Sequence, residues 1–244
     1  MSSGKLPDWC LPEWERLAKI PQVRMRLGFT AFAYVMQSRC HPLQRSFEMQ
    51  EMFNLVQGNK PRVVVEIGTS RGGGVYHWAD NVECVDRIAG VDVNGQPYAP
   101  VFREMFPSID WHFHHGSSLE RDWLDGLIAW LGGDKIDVLF IDGCKTAFRT
   151  DFDNHLSLMS PSGIVFMHDI QSTAAAAWKQ LEERSPWDTC RLIDTSESLA
   201  AMQRMRRGEE ATAYEKWLRS YRGRSAGVGV VFLGAGRCAP IPSA

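Results

Sequence analysis

Apolar residues along the chain fall into short runs that alternate with longer segments of helical periodicity. The run at 63–67 is β-branched and uninterrupted by polar alternation, so it predicts a strand buried on both faces. Further runs predict strands at 87–93, 110–116, 136–142, 163–169, 190–194 and 227–233. Helices are predicted at 12–20, 23–37, 46–56, 123–131, 148–159, 174–184 and 197–221, with another that begins at 75 and a turn at 160–163. This alternation predicts an α/β fold.

The first strand leads into a glycine-rich loop, Glu66-Ile67-Gly68-Thr69-Ser70-Arg71-Gly72. Gly68 and Gly72 permit positive φ and allow a ligand to approach the backbone closely. The following helix would turn its N-terminal amides toward that ligand. Glu66 precedes the first glycine, where a carboxylate would repel a pyrophosphate but attract an ammonium. The loop therefore favours a nucleotide-type ligand with a positive group, while a dinucleotide and other α/β ligands stay open as alternatives.

Acidic residues end four of the predicted strands, at Glu66, Asp92, Asp142 and Asp169. Ligands of open α/β sheets bind beyond the carboxyl ends of the strands, so we expect these acids to face one site. The carboxylate of Asp92 would accept hydrogen bonds from the two hydroxyls of a ribose, because its distance from the glycine loop suits one crossover helix. The alternative for Asp92 is a surface position.

Asp142 and Asp169 end neighbouring strands and would bind a hard divalent ion such as Mg²⁺ together with waters and substrate oxygens. His168 or Gln171 would supply a third protein ligand. Lys145 would act as a base if burial and a nearby metal lowered its pKa. The alternatives are that Asp142 caps the next helix, that Asp169 pairs with an arginine, and that Lys145 is a surface residue.

The composition narrows the class of protein. The chain has 244 residues, 44% of them hydrophobic and 23% charged, as is typical of one globular domain. A formal net charge of −2 gives no basic field for nucleic acid. We expect no membrane helix and no signal peptide, because no apolar run reaches roughly 18 residues. The 6 cysteines are scattered and indicate reduced thiols, so we expect a cytoplasmic protein.

We expect two parts in the chain. Residues 1–60 are predicted to form a helical extension, which either packs against the sheet edge or a dimer partner or covers the active site as a lid. Residues 61–244 are predicted to form the ligand-binding domain, with a helical insertion at 195–225. A homodimer stays open.

The pattern of Glu66, Gly68 and Gly72 resembles motif I of the class I S-adenosylmethionine (SAM) methyltransferases, whose E/D-x-G-x-x-x-G loop holds the amino acid end of SAM. The resemblance covers residues 61–171. It implies a Rossmann-like, mostly parallel sheet of seven strands in the order 3-2-1-4-5-7-6, with helices on both faces and the last strand antiparallel. SAM would be the cofactor, with its ammonium on Glu66. The resemblance assigns to the cofactor Glu66, Gly68, Thr69, Ser70, Gly72, Asp92, Val93, Ser117 and Asp142.

The pair Asp142-x-x-Lys145 resembles the loop of catechol O-methyltransferase, in which the aspartate binds Mg²⁺ and the lysine takes the hydroxyl proton. This resemblance makes Asp142 and Lys145 catalytic and makes Asp142 and Asp169 metal ligands, to which we add His168 as the third ligand. Ile170 departs from it, because that family has asparagine there. The region also resembles macrolide sugar O-methyltransferases and the cephalosporin-hydroxylase-like group, which have histidine at the position of Lys145 and an acid at that of His168.

Together these features predict a cytoplasmic SAM-dependent O-methyltransferase, assisted by Mg²⁺. Its acceptor would be a small molecule, such as a secondary metabolite with a phenol, catechol or sugar hydroxyl. We expect no nucleic acid or membrane partner. The rival hypotheses are an N-methyltransferase or hydroxylase-like relative, a non-catalytic SAM-binding module, and a dinucleotide oxidoreductase, which Glu66 disfavours.

Overall fold

The structure is a computed structural model that describes residues 46–96, 98–171, 174–184, 186–192 and 227–234. Its elements in chain order are α1 (Ser46–Gln57), β1 (Val63–Ile67), α2 (Gly73–Asn81), β2 (Arg87–Asp92), α3 (Ala99–Met105), β3 (Asp110–His115), α4 (Arg121–Leu131), β4 (Ile136–Ile141), α5 (Phe148–Leu156), β5 (Met159–His168), α6 (Ala175–Arg184), β6 (Asp188–Leu192) and β7 (Val228–Phe232). The helices predicted at 12–20, 23–37 and 197–221 lie outside the described residues.

All seven strands belong to one sheet, in the order β3-β2-β1-β4-β5-β7-β6. β1 to β5 pair in parallel with one another, and β7 is antiparallel to β5 and β6. The predicted strand order and the predicted direction of the last strand are confirmed. The strand order reverses between β1 and β4, and this switch point is where open α/β sheets bind their ligands.

Helices cover both faces of the sheet, so alternate residues of the central strands enter two separate hydrophobic cores. On one face α2 and α3 pack through Trp78 and Phe102. On the other face α4 and α6 pack through Trp123 and Trp178. Burying one such side chain contributes roughly 1.5–3 kcal/mol, and these two cores hold the strand ends in fixed positions. Among the described helices, none has both the length and the apolar character that crossing a membrane requires.

α1 is part of the first core, although it precedes β1. Its residues Met52, Phe53 and Val56 are buried, and the ring of Phe53 meets Trp78 edge to face with centroids 5.0 Å apart. Of the predicted N-terminal extension, only residues 46–60 belong to the described part of the chain, and its role as packing element or lid stays a prediction. The packing of α1 also places Glu48, on its first turn, inside the protein near the ends of β5 and β7.

The structure differs from the sequence-based prediction at α5, β5 and α3. α5 ends at Leu156 and β5 begins at Met159, so the predicted helix is too long. Residues 160–163, predicted as a turn, form a bulge in β5, because the register with β4 jumps from Ile136↔Met159 to Val138↔Ile164. α3 is missing from the prediction, because its 7 residues make only about two helical turns.

Candidate active site

The loop after β1 is shaped by close backbone packing. Gly68 has a φ of +87°, and a Cβ there would lie 2.6 Å from Gly143 Cα in the loop after β4. Gly72, also at φ +87°, is the N-cap of α2. Ser70 adopts a φ of +48°, which is uncommon outside glycine. The predicted glycines are therefore required by the fold, and they bring the loops after β1 and β4 into contact.

Glu66 is the buried acid of this loop. It is 1% exposed, and its carboxylate lies against Gly74 at the start of α2, where a Cβ would meet Glu66 Cδ at 2.7 Å. Burial, with Asp142 and Asp92 nearby, raises the pKa of Glu66 well above its usual range. Its Oε2 has no hydrogen-bond partner among the described residues. A cationic group of a ligand would satisfy this oxygen, as the ammonium of SAM does in the prediction.

Asp92 fixes the glycine loop from the end of β2. Its carboxylate accepts hydrogen bonds from the N–H of Ser70 at 2.7 Å and from the N–H and side chain of Asn94 at 2.8 and 3.1 Å. A carboxylate offers about four acceptor positions, so a ribose hydroxyl would still find one. Val93 beside it is 67% exposed and offers an apolar surface at the same edge.

The other residues predicted to bind the cofactor have more local roles in the structure. Thr69 is buried, and its Oγ1 lies 3.1 Å from the side-chain amide of Gln96. Ser117, in the loop after β3, accepts a hydrogen bond at 3.2 Å from the N–H of Leu119. Their cofactor contacts stay predictions. Nearby, burial raises the pKa of the Asp151 carboxyl to about 6, against an opposing effect of the Ser118 hydroxyl.

A charged cluster lies at the ends of β4 and β5. The ammonium of Lys145 contacts Asp142 Oδ1, lies 3.2 Å from the Asp142 carbonyl oxygen, and lies 3.0 Å from Asp169 Oδ2. Asp142 does not cap α5, whose N-cap is Ala147. Asp169 pairs with a lysine rather than an arginine, and its φ of +64° indicates local backbone strain. The structure thus joins both predicted catalytic residues, Asp142 and Lys145, with the predicted metal ligand Asp169.

His168 extends this cluster into the protein. Its Nδ1 lies 3.0 Å from Asp142 Oδ1, and its Nε2 lies 3.3 Å from Glu48 Oε2. Glu48 is fully buried and also accepts a hydrogen bond at 3.0 Å from the N–H of Gly227, just before β7. The sequence-based prediction missed Glu48, because it lies 120 residues from His168 and resembles any acid in the first turn of a helix.

The charges of the cluster compensate one another. Burial lowers the pKa of the Lys145 ammonium, but Asp142 and Asp169 outweigh this and raise that pKa above its usual range. Burial raises the pKa of Asp142, but His168 and Lys145 outweigh it and lower that pKa. Burial also disfavours the charged form of His168, yet Asp142 and Glu48 raise its pKa to about 10. The predicted role of Lys145 as a base required a lowered pKa. The structure raises that pKa instead, so it does not support this role.

The same residues contain the predicted metal ligands. Asp142, His168 and Asp169 each offer one ligand atom, and these atoms all lie within 4.8 Å of one another. The ammonium of Lys145, however, lies between the two carboxylates, and both ring nitrogens of His168 face carboxylate oxygens. Mg²⁺ prefers a near-octahedral shell of oxygens. The arrangement of the described residues does not fit that shell, and the Mg²⁺ site stays a prediction.

Comparisons with known proteins agree with this fold. Residues 65–170 match a family model described as a methyltransferase domain. The matched segment runs from β1 to the end of β5, so it contains both the glycine loop and the charged cluster. No curated protein sequence matches the chain.

Several solved structures share the fold. An O-methyltransferase from Bacillus cereus in complex with SAH is 12% identical, with a TM-score of 0.56 over 91% of this chain and 97% of that one. Cofactor-bound Rv0187 from MTB is 15% identical, with a TM-score of 0.58 over 94% and 99%. The O-methyltransferase TomG from Streptomyces achromogenes, in complex with SAM, is 13% identical, with a TM-score of 0.55 over 95% and 92%.

The fold is therefore the Rossmann-like fold of methyltransferases, as the sequence predicts. The family model bears out the resemblance to methyltransferases, and neighbours with the same fold include O-methyltransferases bound to SAM or SAH. At this level of identity the structural likeness establishes the fold, and the activity must be argued from the site.

Proposed function

We propose that this protein transfers the methyl group of SAM to the hydroxyl oxygen of a small molecule. One observation carries the proposal. The glycine loop with buried Glu66 and the cluster of Asp142, Lys145 and Asp169 meet at the switch point of a methyltransferase-type sheet. The first is suited to a cofactor with an ammonium, and the second is suited to a polar acceptor.

In the proposed complex the amino acid end of SAM lies at the glycine loop, with its ammonium on Glu66. Its ribose lies at Asp92, and its adenine lies near Val93 and the loop that holds Ser117. The loop after β4 contacts the glycine loop, since a Cβ at Gly68 would lie 2.6 Å from Gly143 Cα, so SAM held in this way would have its sulfonium methyl beside the loop after β4. The acceptor would then bind at the charged cluster, on the far side of the methyl group.

The reaction needs few groups, because a sulfonium methyl is already activated for in-line displacement. The acceptor oxygen forms a bond to the methyl carbon as the carbon–sulfur bond breaks, and SAM becomes the neutral thioether SAH. The hydroxyl proton passes to a carboxylate of Asp142 or Asp169 and then to water. Lys145 holds the acceptor oxygen by a hydrogen bond, and holding it in line supplies much of the acceleration. No step is assigned to the predicted Mg²⁺.

The acceptor is proposed as a phenol, a catechol or a sugar hydroxyl, in keeping with the sequence resemblance. A cytoplasmic location and the absence of nucleic acid and membrane partners stay predictions, and so does a homodimer.

The test is SAH formation in the presence of a panel of phenols, catechols, sugars and amines. We expect SAH with at least one hydroxyl acceptor, and a loss of roughly 100-fold or more in rate for Lys145→Met and Asp169→Asn, with SAM still bound. Lys179→Met is the matched control, because Lys179 is exposed on α6. Transfer to amines alone would indicate an N-methyltransferase. SAM binding without transfer to any acceptor would indicate a SAM-binding module.

A further inference from the structure

The cation that lies between Asp142 and Asp169 belongs to the chain itself. The ammonium of Lys145 contacts Asp142 Oδ1 and the carbonyl oxygen of the same residue, and it lies 3.0 Å from Asp169 Oδ2. An ammonium has three donors, and these oxygens are placed to accept them. The side chain is mostly buried, at 19% exposure, and lies over the ring of Phe148 at 4.9 Å.

His168 is also held by carboxylates rather than left open for a ligand. Nδ1 faces Asp142 at 3.0 Å, and Nε2 faces Glu48 at 3.3 Å. A ring nitrogen that donates a hydrogen bond has no lone pair to offer a metal. Glu48 is fixed in turn by the N–H of Gly227. The geometry therefore makes His168 a second positive partner of Asp142 and not a metal ligand.

Among the described residues, oxygen ligands are also few at this place. Asp142 and Asp169 contribute carboxylates, but the next residue, Ile170, is apolar and 4% exposed. A hard divalent ion would have to displace the ammonium of Lys145 and gather most of its shell from water and substrate.

We propose that the ammonium of Lys145 is the resident cation of this site and takes the place of a divalent metal. It pairs with both carboxylates, and in the proposed complex the acceptor oxygen replaces the Asp142 carbonyl oxygen, the farthest of the three partners at 3.2 Å, as acceptor of one N–H. Negative charge on the acceptor oxygen is thereby stabilised as the O–H proton passes to a carboxylate. This inference rests on the proposed function. It deepens that function by naming the acceptor class, because a metal ion chelates two adjacent oxygens whereas an ammonium needs only one. An acceptor therefore needs only one hydroxyl at the cluster, and a vicinal diol is not required.

The direct test measures metal binding and needs no acceptor. Mn²⁺ is titrated into the protein, and loss of the free-ion signal in electron paramagnetic resonance reports binding. The wild-type chain should bind no Mn²⁺ at the cluster in the micromolar range. Lys145→Met removes the ammonium and leaves both carboxylates, so its Mn²⁺ affinity should rise by at least about tenfold. Lys179→Met should behave as wild type, and adding Asp169→Asn to Lys145→Met should abolish the gain.

Two results would overturn the inference. One is tight Mn²⁺ binding by the wild-type chain that Asp169→Asn removes, which would make the cluster a metal site. The other is a folded Lys145→Met variant whose Mn²⁺ affinity is no higher than that of the wild type. This result would mean that the Lys145 ammonium does not occupy a site that a metal ion could otherwise fill. If Lys145→Met does not fold, the inference is tested by Mn²⁺ titration of the wild-type chain and of Asp169→Asn. SAM binding, measured on the same samples by calorimetry, reports separately on the proposed function.

Discussion

The glycine loop after β1 and the charged cluster after β4 and β5 lie side by side but are built in different ways. The loop depends on backbone, with Gly68 packed against Gly143 and the N–H of Ser70 bonded to Asp92. The cluster depends on side chains, and its members come from α1, the loop after β4 and the end of β5. We therefore expect an added side-chain atom to disrupt the glycine loop, and the loss of a charged group to disrupt the charged cluster.

The two regions also suit different kinds of ligand. A loop defined by backbone shape presents the same amides and the same close approach to any ligand of the right form, which suits a common cofactor. A cluster of ion pairs changes its character when one member changes, which suits a variable acceptor. Each prediction below changes one of the two regions and leaves the other as an internal control.

The largest effect is expected for Gly68→Ala. The new Cβ would meet the backbone of the loop after β4 at 2.6 Å, and the residue would have to keep a φ of +87°. Strain and overpacking together should lower the free energy of unfolding by about 3 kcal/mol or more, and SAM binding should be lost. Denaturant unfolding and calorimetry measure the two effects.

Gly133→Ala is the control for backbone conformation alone. Gly133 has a φ of +100°, and nothing lies within 4 Å of a Cβ placed there. We expect Gly133→Ala to lower the free energy of unfolding by about 1 kcal/mol and to leave SAM affinity unchanged. If Gly68→Ala and Gly133→Ala lower the free energy of unfolding by the same amount, the contact between the loops after β1 and β4 does not contribute to stability.

A second prediction concerns Asp151, a buried side chain on α5 that lies near Ser118 in the loop after β3. Its pKa is raised to about 6, compared with about 4 in an unfolded chain. A raised carboxyl pKa adds stability that is fully present below pH 4 and is lost as the pH rises through about 6. Asp151→Asn cannot ionise, so it should be more stable than wild type by about 2 kcal/mol at pH 7 and should lose this advantage toward pH 4.

Thermal melting across that pH range measures the difference. Asp153→Asn is the matched control, because Asp153 lies on the same helix with a half-exposed side chain. It should change stability by less than about 0.5 kcal/mol. A constant difference between Asp151→Asn and wild type from pH 4 to pH 7 would be evidence against the buried, protonated carboxyl.

A smaller effect is expected for Glu48→Gln in the acceptor region. Gln keeps an oxygen for the N–H of Gly227 but removes the negative charge beside His168. We expect a loss of about 1–2 kcal/mol in stability and a lower kcat, with unchanged SAM affinity. Glu51→Gln on the same helix is the control, since Glu51 only bonds Asn54 nearby. A fall in SAM affinity with kcat unchanged would assign Glu48 to the cofactor instead.

The smallest effect is a proton released when SAM binds. Burial, Asp142 and Asp92 raise the pKa of Glu66, and the ammonium of SAM would lower it again. Calorimetric heats measured in buffers with different ionisation enthalpies should therefore differ near pH 7, and Glu66→Gln should remove the difference. Identical heats for the wild-type chain would contradict a direct contact between Glu66 and the ammonium.

Much of the fold can be predicted, because the central strands supply buried residues to both hydrophobic cores and therefore stand out as short apolar runs. The limits of β1 agree residue for residue, since a buried parallel strand leaves a continuous pattern. β5 was less predictable, because its bulge at 160–163 has the composition of a turn. α3 was missed because two turns leave too little periodicity to detect.

The site was predictable where function depends on neighbours in sequence. The glycine loop and the acids at strand ends have local patterns, and the structure brings them to one edge of the sheet. Glu48 was not predictable, because its role arises only when α1 packs beside β5. Nor was the pairing of Lys145 with both carboxylates, since it depends on the packing of β4 against β5 and on the side-chain conformation.

The central claim is tested most directly by calorimetric titration of the protein with SAM, with NADH as the control ligand. The titration is run with added Mg²⁺ and again with a chelator. We predict micromolar SAM binding that the chelator does not change, and no NADH binding. Absence of SAM binding, or NADH binding in its place, would contradict the interpretation of the loop from Glu66 to Gly74 on which the proposed function depends.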